Sequence, residues 1–574
     1  MSTALLIVVD SLSGIVSCVS VERVFEAHGH FTLGHATSAR QSCRGVPPNR
    51  RRADQIELTL AAMNAESIQS TLRRALDLHQ AGQLGDAERL YGEVIDADPG
   101  NPDALNLRGV LAQNMGENDV AEGFIRRALA VNPRFADAHY NLGVALQGQG
   151  RLDDAAAAYR ESLRLSPDSP DAHHNLGNCL HEIGKLDEAI ECQRNAIAIE
   201  PRDPNTHNSL GVALYDAGAL DEAFAAYDRA LALDAGHAAA HGNMAGVFLA
   251  RGMAEEAVAA FRRAAELRHG HARRSDGVER VPRHRIHHDA DQVRYLKSRD
   301  LLGSDYEGYA RALCALDERL AASPNETQAA AFGGGENEEI APSFNAFVYR
   351  SAGNRVSTGS LNPELNVDAI EASYLGSRPE VVVVDDLLSE EALAELRTFC
   401  LESTVWKRNY DNGYVSAKLG HGFESPLLFQ IVEELRRSFP RIFSSHRLEQ
   451  AWAFKYDSHM HGVNLHADFA AVNVNFWITP DSANRDPETG GLIIWDEKSP
   501  NNWRLSDYNR GSAKMREFLQ SRGSRPIKVP YRGNRAIIFN STLFHETDRI
   551  DFEEGYENRR INVTLLYGRR LRTS

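Results

Sequence analysis

Two patterns of apolar and polar residues divide this chain. In the first half, apolar positions recur at helical spacing, punctuated by small and cyclic residues with a period of 34: Pro99, Pro133, Pro167 and Pro201; Gly109, Gly143, Gly177 and Gly211; Ala121, Ala155, Ala189, Ala223 and Ala257. Independent positions sharing one period predict helix pairs stacked in series, with small residues where paired helices approach and Pro ending the second helix. Six units fit between residues 68 and 271, the outer two degenerate, with Ala75 and Ala245 at the Gly position; atypical ends are expected of capping repeats. In the second half the period shortens to that of strands. HADFAAVNVNFWITP, GGLIIWDE, IKVPY, NRAIIFNS and NRRINVTLLYG read as short strands, with Gly490 and Gly491 at a tight turn, which predicts an all-β barrel or a double-sheet jelly roll. Ahead of them, VVVVDD reads as a strand leading to a helix capped by Ser389, with Glu390 and Glu391 in its first turn.

These patterns set the expected organisation: 1–62 a disordered leader or an overcalled start, 63–271 the helical solenoid, 272–375 a helical extension and linker, and 376–574 the β domain with flanking helices. Met63 opens a natural start into the first repeat. Within 272–375, RHRIHHDADQVRYLKSRDLL and YEGYARALCALDERL have helical periodicity and would extend the solenoid, FGGGENEEIAPS reads as a flexible link, and His284, His287 and His288 read as a solvated helix start.

Charge and cysteine usage narrow the function. A formal net charge of −16 argues against generic nucleic-acid binding. Six scattered cysteines without a Cys-x-x-Cys pair fit a reducing compartment, so a cytoplasmic location is expected. The N-terminal apolar run is interrupted by Asp10 and lacks a basic leader, so neither a secretory signal nor a membrane span is expected.

The candidate chemistry lies near the C-terminus. His466 and Asp468 form a His-x-Asp pair whose side chains, in extended backbone, project the same way, and His545 follows at a distance. Two imidazoles and a carboxylate can cover one face of an octahedral metal and leave the other open, as oxygen chemistry at iron requires. Alternation places Arg560, Asn562 and Thr564 on one face and Ile561, Val563 and Leu565 on the other. Arg560 therefore suits the pocket, whereas Arg559 falls on the apolar side with its head reaching water. A hairpin in DFEEGYEN would account for the long interval from His545 to Arg560. Tyr456, Asn473 and Asn475 flank the pair as co-substrate or structural groups, and His459 and His461 suit a loop over the site.

These residues resemble the double-stranded β-helix of iron(II)- and 2-oxoglutarate-dependent dioxygenases of the prolyl-hydroxylase type, over roughly 376 to 570. The resemblance implies iron ligands at His466, Asp468 and His545, with Arg560 gripping the distal carboxylate of 2-oxoglutarate and Asn562, Tyr456 and Asn473 near the co-substrate. It also implies oxygen-dependent decarboxylation of 2-oxoglutarate to succinate with hydroxylation of a substrate, and no catalytic residue beyond the metal site. The 34-residue units resemble tetratricopeptide repeats. Two residues before the periodic Gly stand Asn141, Asn175 and Asn243, with Leu107 and Ser209 elsewhere; the position resembles the asparagine ladder of O-linked N-acetylglucosamine transferases, where amides grip a peptide backbone. The same amides could instead join helix to helix. The expected function is thus a dioxygenase acting on a protein or peptide recruited by the repeats. The alternatives are a non-catalytic scaffold with an inactive jelly roll, and an oxygenase of small molecules whose repeats serve protein interaction.

Overall fold

The computed structural model describes residues 67–270, 279–322, 329–332, 339–410, 412–458, 462–500, 503, 505–509 and 512–569. The expected leader, His459 and His461 lie outside the described residues. The chain forms two compact units, one ending at Glu222 and the other beginning at Ala223.

The first unit is helical. After a helix over 67–80 come Leu84–Ala97, Pro102–Asn114, Asn118–Val131, Ala136–Gly148, Leu152–Leu165, Pro170–Ile183, Leu186–Ile199 and Pro204–Asp216. The periodic glycines mark close crossings. A Cβ on Gly109 would lie 2.5 Å from Ile125, one on Gly143 2.5 Å from Tyr159, and one on Gly177 2.6 Å from Gln193. Ala121, Ala155 and Ala189 are fully buried in the same seams. A second glycine series with the same period, Gly116, Gly150 and Gly184, takes φ of +79°, +74° and +92° where the first helix of a pair ends, a conformation costly for any residue with a Cβ. The turn after each second helix is held by a recurring histidine: Nε2 of His139, His173 and His207 lies 3.0 Å from the carbonyl of Pro133, Pro167 and Pro201.

The second unit begins within helix Leu220–Leu233 and continues with Ala238–Ala250 and Ala254–His269. These last helices share a core with the β-rich region. Phe261 stacks on Phe429 with centroids 6.0 Å apart, and Arg268 donates to the Gly420 carbonyl at 2.7 Å. Strands β1 (Glu279–Pro282) and β2 (Ala329–Phe332) pair beside helices Arg283–Ser298 and Glu307–Ala321. The first of those helices is tied to the β-rich region: Gln292 donates to the carbonyls of Leu401 and Ser403 at 3.2 and 2.9 Å. Its start is only partly solvated: Arg285, His288 and Asp289 are buried, whereas the His287 side chain is 43% exposed.

The remaining strands are β3 (Val381–Val384), β4 (Arg408–Asn409), β5 (Tyr414–Lys418), β6 (Leu448–Tyr456), β7 (Ala470–Trp477), β8 (Leu492–Lys498), β9 (Pro526–Val529), β10 (Ala536–Asn540), β11 (Leu543–Thr547) and β12 (Arg560–Arg569). They form an antiparallel sheet in the order β3-β10-β7-β12-β6-β5-β4 and a second in the order β11-β8-β9. Helix Glu390–Glu402 is capped by Ser389 Oγ, which accepts from Ala392 N–H at 3.3 Å. Alternation sorts the large sheet into two faces. Val472, Val474, Phe476, Ile561, Val563 and Leu565 share a core with Leu396, Phe399 and Leu428 of the flanking helices. The opposite face presents Tyr456, Trp477, Ile537 and Phe539 to Leu492, Ile494 and Val529 of the small sheet. The second face also carries the buried polar residues Asn473, Asn475, Arg560, Asn562 and Thr564.

Candidate metal centre

His466, Asp468 and His545 come together. Their ligand atoms all lie within 4.8 Å of one another. The His-x-Asp pair sits in extended backbone just ahead of β7, not within it. Main-chain bonds fix its register: His466 and His545 exchange N–H···O bonds of 3.0 and 2.8 Å, and Asp468 N–H donates to the Ser541 carbonyl at 2.9 Å. Ala467, between the two, is buried in the apolar cluster of Leu465, Tyr508, Met515 and Phe544, and its N–H donates to the Tyr508 carbonyl at 2.8 Å. The insertion between β8 and β9 thereby backs the segment from outside.

Ring orientation is set by the other imidazole nitrogens. Nδ1 of His466 lies 2.8 Å from the Asn464 carbonyl and Nδ1 of His545 3.0 Å from that of Leu543. With those carbonyls taking an N–H, both Nε2 atoms are free to donate lone pairs, the arrangement metal-binding histidines adopt. They point at Asp468, 3.8 Å from Oδ1 and 3.5 Å from Oδ2. Burial raises the Asp468 carboxyl above its ordinary value, with His466 and the Asn473 hydrogen bond pulling against it. Burial, reinforced by His466, lowers His545 well below the usual imidazole range. A divalent cation would reverse the first tendency by favouring the carboxylate and reinforce the second, since it binds neutral imidazole.

Arg560 is 1 % exposed and lies on the inner face, over the Tyr456 ring at 4.8 Å and the Trp477 ring at 5.6 Å. It donates to the Gly490 carbonyl at 2.6 Å, the Gly491 carbonyl at 3.4 Å and Asn562 Oδ1 at 3.2 Å. The paired glycines therefore do more than turn the chain: a Cβ on Gly491 would fall 1.9 Å from the Val529 carbonyl, so only Gly brings these acceptors against the guanidinium. No carboxylate of a described residue forms a salt bridge with Arg560; burial depresses its pKa, offset in part by the Tyr456 and Tyr531 hydroxyls and by the charge of Asp548.

Arg559 differs from expectation. It is buried, not solvated, because it donates to Asp291 at 2.9 Å. Its neighbour DFEEGYEN is not a hairpin among the described residues: Phe552 bridges Asn484, and Tyr556 opens a short 3-10 turn with its hydroxyl donating to the Leu401 carbonyl at 2.8 Å.

A buried polar network continues from the site. Asn473 donates to Asp468 Oδ2 at 2.7 Å, Asn475 to Thr564 at 2.9 Å and Asn562 to Thr564 at 3.3 Å. Asn473 Oδ1, Asn475 Oδ1 and Trp477 Nε1 are buried on this face without a hydrogen-bond partner. A second acidic and histidine group, His287, Asp291 and Asp317, is an ion-pair network: Arg294 binds both carboxylates, at 3.1 and 2.8 Å, and Arg559 binds Asp291.

Of the asparagines expected in a peptide groove, Asn141 and Asn175 are half-buried. Asn141 Nδ2 donates to Asn106 at 3.0 Å and Asn175 Nδ2 to the Tyr140 hydroxyl at 2.9 Å, so both join neighbouring helices. Asn243 is buried.

Residues 72–113, 108–170, 145–204 and 184–238 match one family model of the tetratricopeptide repeat, and 214–275 match a second. The repeats are tetratricopeptide repeats. Similar solved structures include MamA, 27% identical, covering 28% of this chain and 94% of that one with a TM-score of 0.27. PilF of Pseudomonas aeruginosa is 21% identical, covering 36% and 93% with a TM-score of 0.33. YrrB, described as a tetratricopeptide-repeat protein with an unusual peptide-binding site, is 21% identical, covering 31% and 91% with a TM-score of 0.28. No curated protein matches the chain. Tetratricopeptide repeats make the helical part a protein-interaction scaffold, and among the described residues no helix is long and apolar enough to cross a membrane.

Proposed function

We propose that the β-rich region is a double-stranded β-helix acting as an iron(II)- and 2-oxoglutarate-dependent dioxygenase, and that the repeats recruit a protein or peptide for it to hydroxylate. The observation that carries this reading is the pairing, on one inner face, of the His466, Asp468 and His545 cluster with a buried guanidinium that pairs with no carboxylate of a described residue. A buried charge of this kind costs several kcal/mol unless an anion meets it, and a planar fork is suited to a carboxylate. The Trp477 N–H, also without a partner, offers a further donor.

The residues fit the groups implied. His466, Asp468 and His545 would hold Fe(II), and Arg560, steadied by Gly490, Gly491 and Asn562, would hold the distal carboxylate of 2-oxoglutarate. When bound, iron and 2-oxoglutarate supply the activation of O2. The protein supplies orientation: main-chain carbonyls fix both imidazoles, aromatic rings of Tyr456 and Trp477 keep water from the guanidinium, and the repeats raise the local concentration of substrate.

The test is direct. Without oxygen, Fe(II) and 2-oxoglutarate together should give the purified protein a visible absorption band that neither gives alone; admitting oxygen should yield succinate. A folded protein showing neither would overturn the proposal.

A further inference from the structure

We propose that Asn473 is the positioning residue for Asp468, fixing which carboxylate oxygen the metal meets. This rests on the metal-site reading above and deepens it. Asn473 lies on β7 and is fully buried; its Nδ2 donates to Asp468 Oδ2 at 2.7 Å. A carboxylate accepts only, so the amide nitrogen, not its oxygen, must face Asp468. The orientation of the side chain follows, and its Oδ1 is turned into the buried interior without a partner.

The consequence is an asymmetric carboxylate. Oδ2 has its strong charge-assisted bond within the protein, whereas Oδ1, 3.8 Å from His466 Nε2, has no hydrogen bond from a described residue. Asp468 would thus offer a cation Oδ1 as its freer oxygen, while Oδ2, 3.5 Å from His545 Nε2, stays held by Asn473. Outer partners of this kind typically set metal affinity within a factor of about 10–100.

Asn475 provides the control. It stands two residues along the same strand and face, is also buried and also has an Oδ1 without a partner, but its amide donates to Thr564, not to a proposed ligand. Co(II) titration of the full-length apo protein, followed by visible absorption, separates the two. Asn473→Leu should weaken Co(II) binding about 10- to 100-fold and alter the Co(II) spectrum, while Asn475→Leu stays within about twofold of wild type with an unchanged spectrum. Equal losses in both variants, or wild-type affinity and spectrum in Asn473→Leu, would overturn the inference while leaving the metal site standing. Failure of wild-type protein to bind Co(II), or binding insensitive to Asp468→Ala, would remove the metal site and this inference with it. Should the Leu variant not fold, Asn473→Ala carries the same comparison.

Discussion

His466 and His545 are direct cross-strand partners: their main chains exchange hydrogen bonds of 3.0 and 2.8 Å and their rings stand 4.2 Å apart. The two imidazoles are thus brought together by backbone pairing, so the cluster is assembled before any ligand arrives. A preassembled site binds metal without first paying for the ordering of its ligands.

Metal should therefore stabilise the folded chain, by an amount that grows with the logarithm of its concentration. At about 100 times its Kd, Mn(II) or Co(II) should add ~2.7 kcal/mol and raise Tm measurably. His545→Ala should abolish that rise, and calorimetry with and without metal checks it. The same rise in the variant would show that the ion binds elsewhere.

The two adjacent arginines should separate cleanly. Arg560→Leu is expected to weaken 2-oxoglutarate binding about 100-fold, on the order of 3 kcal/mol for a buried charge-assisted pair, with Co(II) binding retained. Arg559→Leu leaves Asp291 without one of its partners and should lower stability by about 3–5 kcal/mol at most, without changing 2-oxoglutarate affinity. Titrations of both with 2-oxoglutarate, alongside urea unfolding, decide; equal loss of affinity would make the assignment of Arg560 untenable.

In the repeats, glycines on one scaffold should respond with opposite signs. A Cβ at Gly143 meets Tyr159 at 2.5 Å, whereas one at Gly123, inside helix Asn118–Val131, meets nothing within 4 Å. Gly143→Ala should cost about 1–3 kcal/mol by overpacking, and Gly123→Ala should gain about 0.5–1 kcal/mol from helix propensity. Thermal unfolding of the two variants is sufficient; destabilisation by both would mean the seam does not set the period.

Much of this was legible because periodicity reports burial. The alternation of Arg560, Asn562 and Thr564 against Ile561, Val563 and Leu565 was visible in the sequence, and the structure puts the two sets on opposite faces. What failed were inferences about long-range partners. From the sequence Arg559 reads as reaching water, because nothing local shows that Asp291, far earlier in the chain, meets it. His288 reads as solvated for the same reason, although it packs against Trp406 and Tyr556. The glycines with positive φ, Gly116, Gly150 and Gly184, did carry a signal, since they share the 34-residue period.

Lys407 gives the pH dependence a definite sign. Its ammonium donates to the Ala346 carbonyl at 2.7 Å and lies 5.0 Å over the Phe347 ring. Burial, helped by Arg285 and opposed by Asp289, lowers its pKa from 10.5 to about 7. Below about 7 the amine is charged in both folded and unfolded chains, and folding bears the full cost of burying it. As pH rises from about 7 towards 10.5, the folded form sheds its proton while the unfolded form keeps it, so this cost fades. Lys407→Met should thus stabilise the protein at pH 6, on the order of 1–2 kcal/mol after allowance for its partial exposure, with the advantage shrinking towards pH 10. Urea midpoints of wild type and variant across that range measure it. A gain that is constant with pH would show that Lys407 keeps its proton throughout and that the benefit is packing alone.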